Sequence, residues 1–346
     1  TKTFGTTLNN NLLSVTVDGL TGVIDELIWN KGEKQLVDTK DLPGINYYCY
    51  VRGKNPDSTL QLSNVKVKVK ERGTLVASLI IKADAPGCKS FSTEVRIIDG
   101  INRVDIINHI DKTAMREKEG MHLGFPFKVA GGQLRYDVAW GIVRPEQDQL
   151  PGSCKNFFSV QNFVDVSNSE FGVTWATPDA SLIEIGAINA EKPWMKKIEP
   201  SQIFYSYVMN NYWHTNYKAD QEGPVTIRYS IQPHGEFKQE DAVRFGREQR
   251  ELLIAVSVDP LRKISTSLFT VEPSKILVTS CKPTTGGWHI QLYNASTKVQ
   301  RTKIQWNKTI PVSMYRGDLF EKVRQELKEI LIIPPYGIRD IQIDRK

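Results

Sequence analysis

The chain has 346 residues, 40% hydrophobic and 24% charged, with a formal net charge of +6. That length exceeds one ordinary core, so either a large β domain with a small one or two comparable domains is expected. The composition excludes a disordered chain, and no apolar run approaches the roughly 18 to 20 residues that span a bilayer. No membrane partner is therefore expected.

The first ten residues lack the charged-then-apolar pattern of a secretion signal. They read as the entrance to a strand, as expected of a fragment or trimmed chain. Strand patterns follow at Leu13–Val17, Val65–Val69, Leu75–Ile81, Thr93–Ile98, Val104–Ile110 and Val225–Ile231, each with period-2 alternation or β-branched richness. Turn signals bound them at Asp18-Gly19, Thr21-Gly22, Asp99-Gly100, Gly131-Gly132 and Pro178-Asp179. Lys66, Lys68 and Lys70 alternate with Val65, Val67 and Val69, which puts the lysines on one face of a strand and the valines on the other. Such a row reads as a solvated or protected edge. A nucleic-acid stripe would interleave exposed aromatics, so no nucleic-acid partner is expected.

Glu240 to Ile254 is the one clear helical pattern, with Ala242, Phe245, Leu252 and Leu253 on one face and acids first. It reads as the connector that closes a large β domain. Further strands are expected at Ser274–Cys281, Trp288–Asn294, Lys298–Trp306 and Ile338–Ile343. The stretch Asp318 to Glu329 is charged enough for a helix, yet Ile330 to Ile333 continues it as a strand. This last section has the size of a small β-sandwich. Strands and helices do not alternate, which argues against a parallel α/β sheet. Cys49, Cys88, Cys154 and Cys281 have no metal-finger spacing, and thiols or disulfides are both open. Asn294-Ala295-Ser296 and Asn307-Lys308-Thr309 fit the glycosylation sequon, which has meaning only in a secretory context.

Four blocks occur in order. Gly19 to Lys31 reads GLTGVIDELIWNK. Phe125-Pro126-Phe127 precedes Gly132-Gln133-Leu134-Arg135-Tyr136-Asp137. Phe163 to Asn168 precedes Phe171-Gly172-Val173-Thr174. Tyr207 to Tyr217 (YVMNNYWHTNY) precedes Gly223-Pro224 and an alternating strand ending in Pro233-His234-Gly235. Together they resemble the C-terminal region of glycoside hydrolase family 38, the zinc-dependent α-mannosidases. The resemblance spans nearly the whole chain, and the fourth block is its most specific part.

The resemblance implies an all-β chain: a galactose-mutarotase-like supersandwich over 1–258, then a small β-sandwich over 259–346. It implies that zinc and the nucleophilic aspartate lie in an N-terminal catalytic domain that this chain lacks. The chain would then hold no cofactor of its own, and its partners would be that domain and a mannose-containing glycan. Its exposed face toward that domain should be apolar.

Residue by residue, His109 and Asp111 could face one ion from a strand, but no second pair follows them, and a strand-end His with a turn Asp is the plainer reading. A retaining glycosidase needs two carboxyls about 5 Å apart. Asp137, Asp148, Asp165 and Glu184 are candidates, although nothing in the sequence pairs them. Trp213, His214 and Asn216 suit a sugar, through an aromatic face and side-chain hydrogen bonds, or belong to a buried network pinning two sheets. Arg135, Tyr136, Arg144, Gln161 and Asn162 flank strand ends, in the region from which the family's β domain reaches sugar. A stand-alone carbohydrate-binding module is one alternative. An aldose mutarotase or epimerase is another, with His214 or His234 and Glu184 or Glu222 moving a proton.

Overall fold

The computed structural model describes residues 1–189, 191–213, 218–251, 253–257, 267–306, 312–317, 325–327 and 330–345. The chain divides into two compact units, Thr1–Phe237 and Lys238–Lys346. The first is a β supersandwich and the second a small β-sandwich, so the all-β reading holds.

The first unit opens with a five-stranded antiparallel meander between Lys2 and Gln35. Asp18 makes its third reversal. Its carboxylate accepts the backbone N–H of Thr21 at 2.7 Å, and its carbonyl accepts that of Gly22 at 2.9 Å. Gly22 sits at φ +75°, where a side chain would be strained and its Cβ would lie 2.9 Å from Ile81.

A nine-stranded sheet follows, running in space from Gly141–Val143 through Gln133–Val138, Phe163–Ser167, Gly172–Ala176, Gly223–His234, Val104–Lys112, Cys88–Ile98 and Val76–Asp84 to the edge strand Ser63–Arg72. Every pairing is antiparallel. A six-stranded sheet lies against it, with Glu119–Pro126 and Ile203–Asn210 among its strands. The core sits between them. Phe125 meets Trp175 at 4.9 Å and Tyr229 at 5.0 Å between ring centroids, and Tyr48 meets Phe91 at 5.3 Å. Period-2 alternation produces this layer, because Val225, Ile227, Tyr229 and Ile231 point one way and Thr226, Arg228 and Ser230 the other. Within the core, Asn46 and Asn108 exchange two hydrogen bonds, at 2.9 and 3.0 Å, and so satisfy each other.

The outward face of the nine-stranded sheet is mostly polar. One row reads Lys66, Lys82, Ser92, His109, Thr226 across five strands. The next reads Lys68, Ile80, Glu94, Ile107, Arg228, with the two isoleucines half-buried; Glu94 binds Lys70, and Arg228 binds Asp179 in a two-pronged pair at 2.8 Å. The exposed apolar face expected of a domain contact is absent here. No large apolar side chain that is exposed among the described residues lies in a strand of this sheet. Leu20, Leu75, Leu150 and Trp194 protrude from turns and loops instead.

In the second unit the helix runs Gln239–Arg250, shorter than its sequence pattern. Ala242, Val243 and Phe245 are buried. Leu253 lies beyond the helix and is fully exposed, so it belongs to no helical face; Leu252 lies outside the described residues. Ile276–Thr284, Gly287–Asn294 and Ile338–Arg345 form one sheet with Val312–Gly317 and Gln325–Glu326. Phe269–Glu272, Gln300–Trp306 and Leu331–Ile333 form the other. Ile290, Leu292, Ile333, Ile341 and Ile343 fill the space between. Most of 318–329 lies outside the described residues. Asn294 is buried and donates to the carbonyls of Lys298, Ile333 and Pro334, which closes this sequon to a glycan; Asn307 lies outside the described residues. All four cysteines are free thiols. Burial pushes the Cys49 thiol up to about 12.

Candidate functional site

Three strand ends of the nine-stranded sheet build one polar cluster. Gln133 and Arg135 share a face of their strand, as do Asp165 and Ser167 of theirs. Antiparallel register sets Arg135 opposite Asp165, and Asp165 opposite Thr174. His234 closes the cluster from the end of Gly223–His234.

Asp165 is fully buried. Its Oδ2 accepts His234 Nε2–H at 2.7 Å and the Thr174 hydroxyl at 2.9 Å. Its Oδ1 accepts the Ser167 hydroxyl at 2.5 Å and lies 3.5 Å from Arg135 Nη1. A buried carboxylate needs this much compensation. His234 also directs Nδ1 at the Gly235 carbonyl, 2.8 Å away. Both ring nitrogens therefore face acceptors, which suits the imidazolium. Burial alone pulls the His234 pKa down, but the hydrogen bond and charge of Asp165 win, and the pKa is raised.

Arg135 is fixed from three sides. It donates to Ser167 Oγ at 2.7 Å and to Gln133 Oε1 at 3.3 Å, and it stacks 4.6 Å over the Phe237 ring. It faces an open pocket of about 830 Å³ that Lys34, Gln133, Asn168, Glu170, Phe171 and Glu236 also line. There Lys34 stacks 5.1 Å over Phe171. Each cation in the pocket thus lies on an aromatic ring, with side-chain amides and carboxylates beside it. This lining can bond hydroxyl groups and offer apolar faces at once.

The other sequence candidates do not join Arg135. Tyr136 points to the opposite face and is buried, packing 5.7 Å from Phe158, and burial raises its hydroxyl to about 12. Arg144 is tied to Asp148 by a two-pronged pair at 2.8 and 2.9 Å. Gln161 and Asn162 form a turn around Asp137, which accepts the Asn162 backbone N–H at 2.7 Å, its side-chain amide at 2.7 Å and the Phe163 N–H at 2.9 Å. Trp213 packs 5.6 Å from Phe157. His214 and Asn216 lie outside the described residues. Their neighbour Asn211 pins the chain, donating to the carbonyls of Met115 and Glu117 and accepting from the Glu119 N–H.

Glu184 meets a histidine that the sequence did not suggest. His122 Nε2 lies 2.8 Å from Glu184 Oε2, both side chains are fully buried, and His122 stacks 4.6 Å from Tyr207. Burial closes this pair to a sugar's anomeric centre. Glu222 binds the exposed Lys218 at 2.6 Å. His109 reaches Thr226 at 3.2 Å. Among the described residues, no group of three or more His, Cys, Asp or Glu side chains is placed to hold a metal. Sequence alone does not bring Ser167, Gln133 and Phe237 to Arg135, or Thr174 to Asp165. For Ser167 and Thr174 the signal is same-face spacing on neighbouring strands, which needs the register to be read.

A family model for the C-terminal domain of the glycosyl hydrolases of family 38 matches residues 8–180. The crystal structure of an α-mannosidase from Enterococcus faecalis is similar over 98% of this chain and 42% of its own, with TM-score 0.69 and 14% identity. A protein in glycosyl hydrolase family 38 from the same organism is similar over 98% and 44%, with TM-score 0.71 and 15% identity. At those identities the likeness bears on fold. The chain spans less than half the length of either structure. A comparison with curated proteins found no match.

Proposed function

Because this chain belongs to the glycosyl hydrolase family 38 C-terminal domains, we propose that it is the non-catalytic β portion of a retaining α-mannosidase, edging the substrate cleft of a separate zinc-bearing catalytic domain. One observation carries the reading: the four acids that could have served as a catalytic pair are each tied to partners of their own, Asp137, Asp165 and Glu184 in the interior and Asp148 at the surface. Asp137 caps the 161–163 turn, Asp148 binds Arg144, Asp165 binds Arg135 and His234, and Glu184 binds His122. Retaining hydrolysis needs two carboxyls facing one bond about 5 Å apart, and these face their own partners.

What the unit offers instead is position. Arg135 cannot swing, because Ser167, Gln133 and Phe237 fix its plane. A fixed guanidinium at a pocket rim can bond sugar hydroxyls and orient a mannoside for chemistry done elsewhere. Zinc, when bound in the catalytic domain, would supply the metal chemistry there.

The test is hydrolysis of an aryl α-mannoside by this chain, with and without added zinc. No turnover is expected in either case. Zinc-dependent turnover would overturn the reading and return His109 and Asp111 to consideration. In a parent protein that carries both portions, Arg135→Ala should raise KM more than it lowers kcat.

A further inference from the structure

The loop that carries Trp194 is tied to the interior by hydrogen bonds from buried side chains. Trp194 is 64% exposed, so its indole contributes little to the core. The backbone on either side of it is nevertheless fixed by buried polar side chains. Asn156, 3% exposed, donates its amide to the carbonyls of Asn189, Lys192 and Pro193 at 2.8, 3.0 and 3.3 Å, and its Oδ1 accepts the Met195 N–H at 3.0 Å. The Lys155 N–H donates to the Met195 carbonyl at 3.0 Å. The chain of bonds reaches the interior, because the Asn189 N–H donates to Glu184, itself held by His122. The indole edge is held too, with Nε1–H donating to the Gly152 carbonyl at 3.3 Å.

Burying amides and a carboxylate is costly unless each is satisfied. Here that cost fixes the seat of one exposed aromatic ring. A rigid, exposed indole binds without losing side-chain freedom, which lowers the entropy cost of association. We propose that Trp194 is a stacking platform for a pyranose ring, an accessory carbohydrate contact outside the Arg135 pocket. The proposal rests on the carbohydrate-enzyme reading above and adds a second, separate contact to it. Trp194 does not line that pocket.

Size and setting favour a sugar over a protein. A stable protein interface buries about 800 Å² on each partner, and among the described residues the large apolar side chains exposed on these tied loops are only Trp194 and Leu150. One indole matches one pyranose, whose C–H face suits an aromatic surface. Lys192, Lys196 and Glu191 neighbour Trp194 in sequence and supply polar groups that can bond hydroxyls.

The experiment titrates the 346-residue chain with methyl α-mannoside and with a linear mannobiose, and follows the indole N–H resonances by NMR. The Trp194 resonance is assigned as the one missing in Trp194→Phe. A saturable shift of that resonance is expected, and isothermal titration calorimetry on the same sugars should read affinity at least several-fold weaker in Trp194→Ala and largely kept in Trp194→Phe. No saturable shift, or equal affinity in Trp194→Ala, overturns the platform, and so does a change confined to oligomeric state. Arg135→Ala is run in parallel. Affinity lost there but unchanged in Trp194→Ala overturns the platform and leaves the pocket reading standing.

Discussion

Asp165 and His234 share a 2.7 Å hydrogen bond across an intervening strand, Gly172–Ala176. The bond couples a fully buried carboxylate to a ring that is partly open to solvent, and the same carboxylate backs Arg135. Stability and the candidate pocket therefore depend on one side chain.

Asp165→Asn removes the charge that compensates His234 and Arg135. Breaking a buried pair by removing one partner costs about 3–5 kcal/mol, so the variant should lose about 3 kcal/mol in urea unfolding. Unchanged stability would mean that the cluster is solvated rather than buried.

The pH dependence has a definite sign. The His234 pKa is raised in the folded chain, since Asp165 overrides the opposing effect of burial. Its contribution is then complete below the ordinary histidine value of about 6.5 and disappears as pH rises through the higher folded value. Wild-type stability should fall across that alkaline interval, and His234→Gln should flatten this part of the profile. An unaltered slope in the variant assigns the effect to another group.

Gly172 touches the same cluster. A Cβ there would lie 2.2 Å from Ser167 Cβ and 2.8 Å from His234 Cε1. Gly172→Ala should cost about 1–3 kcal/mol by overpacking and should shift the His234 ring resonances. Wild-type stability with unshifted resonances would show that the strands separate easily.

Lys112 and Glu119 form a second buried pair, 2.8 Å apart and 2% and 1% exposed. The Tyr50 hydroxyl donates to the same carboxylate. Lys112→Met strands a buried charge and should cost about 3–5 kcal/mol. Lys112→Met with Glu119→Gln keeps an acceptor for Tyr50 without the charge, and should be more stable than Lys112→Met alone. Additive losses in this double-mutant cycle would show the two side chains to be independent.

In the second unit, Asn294→Ala removes a donor from three carbonyls, of which that of Lys298 keeps the Ser296 hydroxyl and that of Pro334 keeps the Gly337 N–H. The variant should lose about 1–3 kcal/mol in all, and the loss should appear in near-ultraviolet circular dichroism of the Trp288–Trp306 pair, whose rings lie 5.0 Å apart. An unchanged melting curve would place water at those carbonyls.

Alternation alone determined much of this protein. Leu13–Val17 coincides with its strand, and Val225–Ile231 lies within Gly223–His234, because period-2 patterning is a local property that solvent enforces on each strand separately. The turn at Asp18 and the polar lysine edge were legible for the same reason. Which charged groups meet was not legible. Arg135 and Asp165 lie 30 residues apart, and His234 lies 69 residues beyond Asp165. Only strand order and register bring them together, and a one-residue slip would turn each to the other face. Register likewise hid the His122–Glu184 pair, and it sent Tyr136 into the core beside an Arg135 that faces out. The rigidity of Trp194 was invisible for a further reason: it comes from Asn156, 38 residues earlier, through hydrogen bonds that no local pattern encodes.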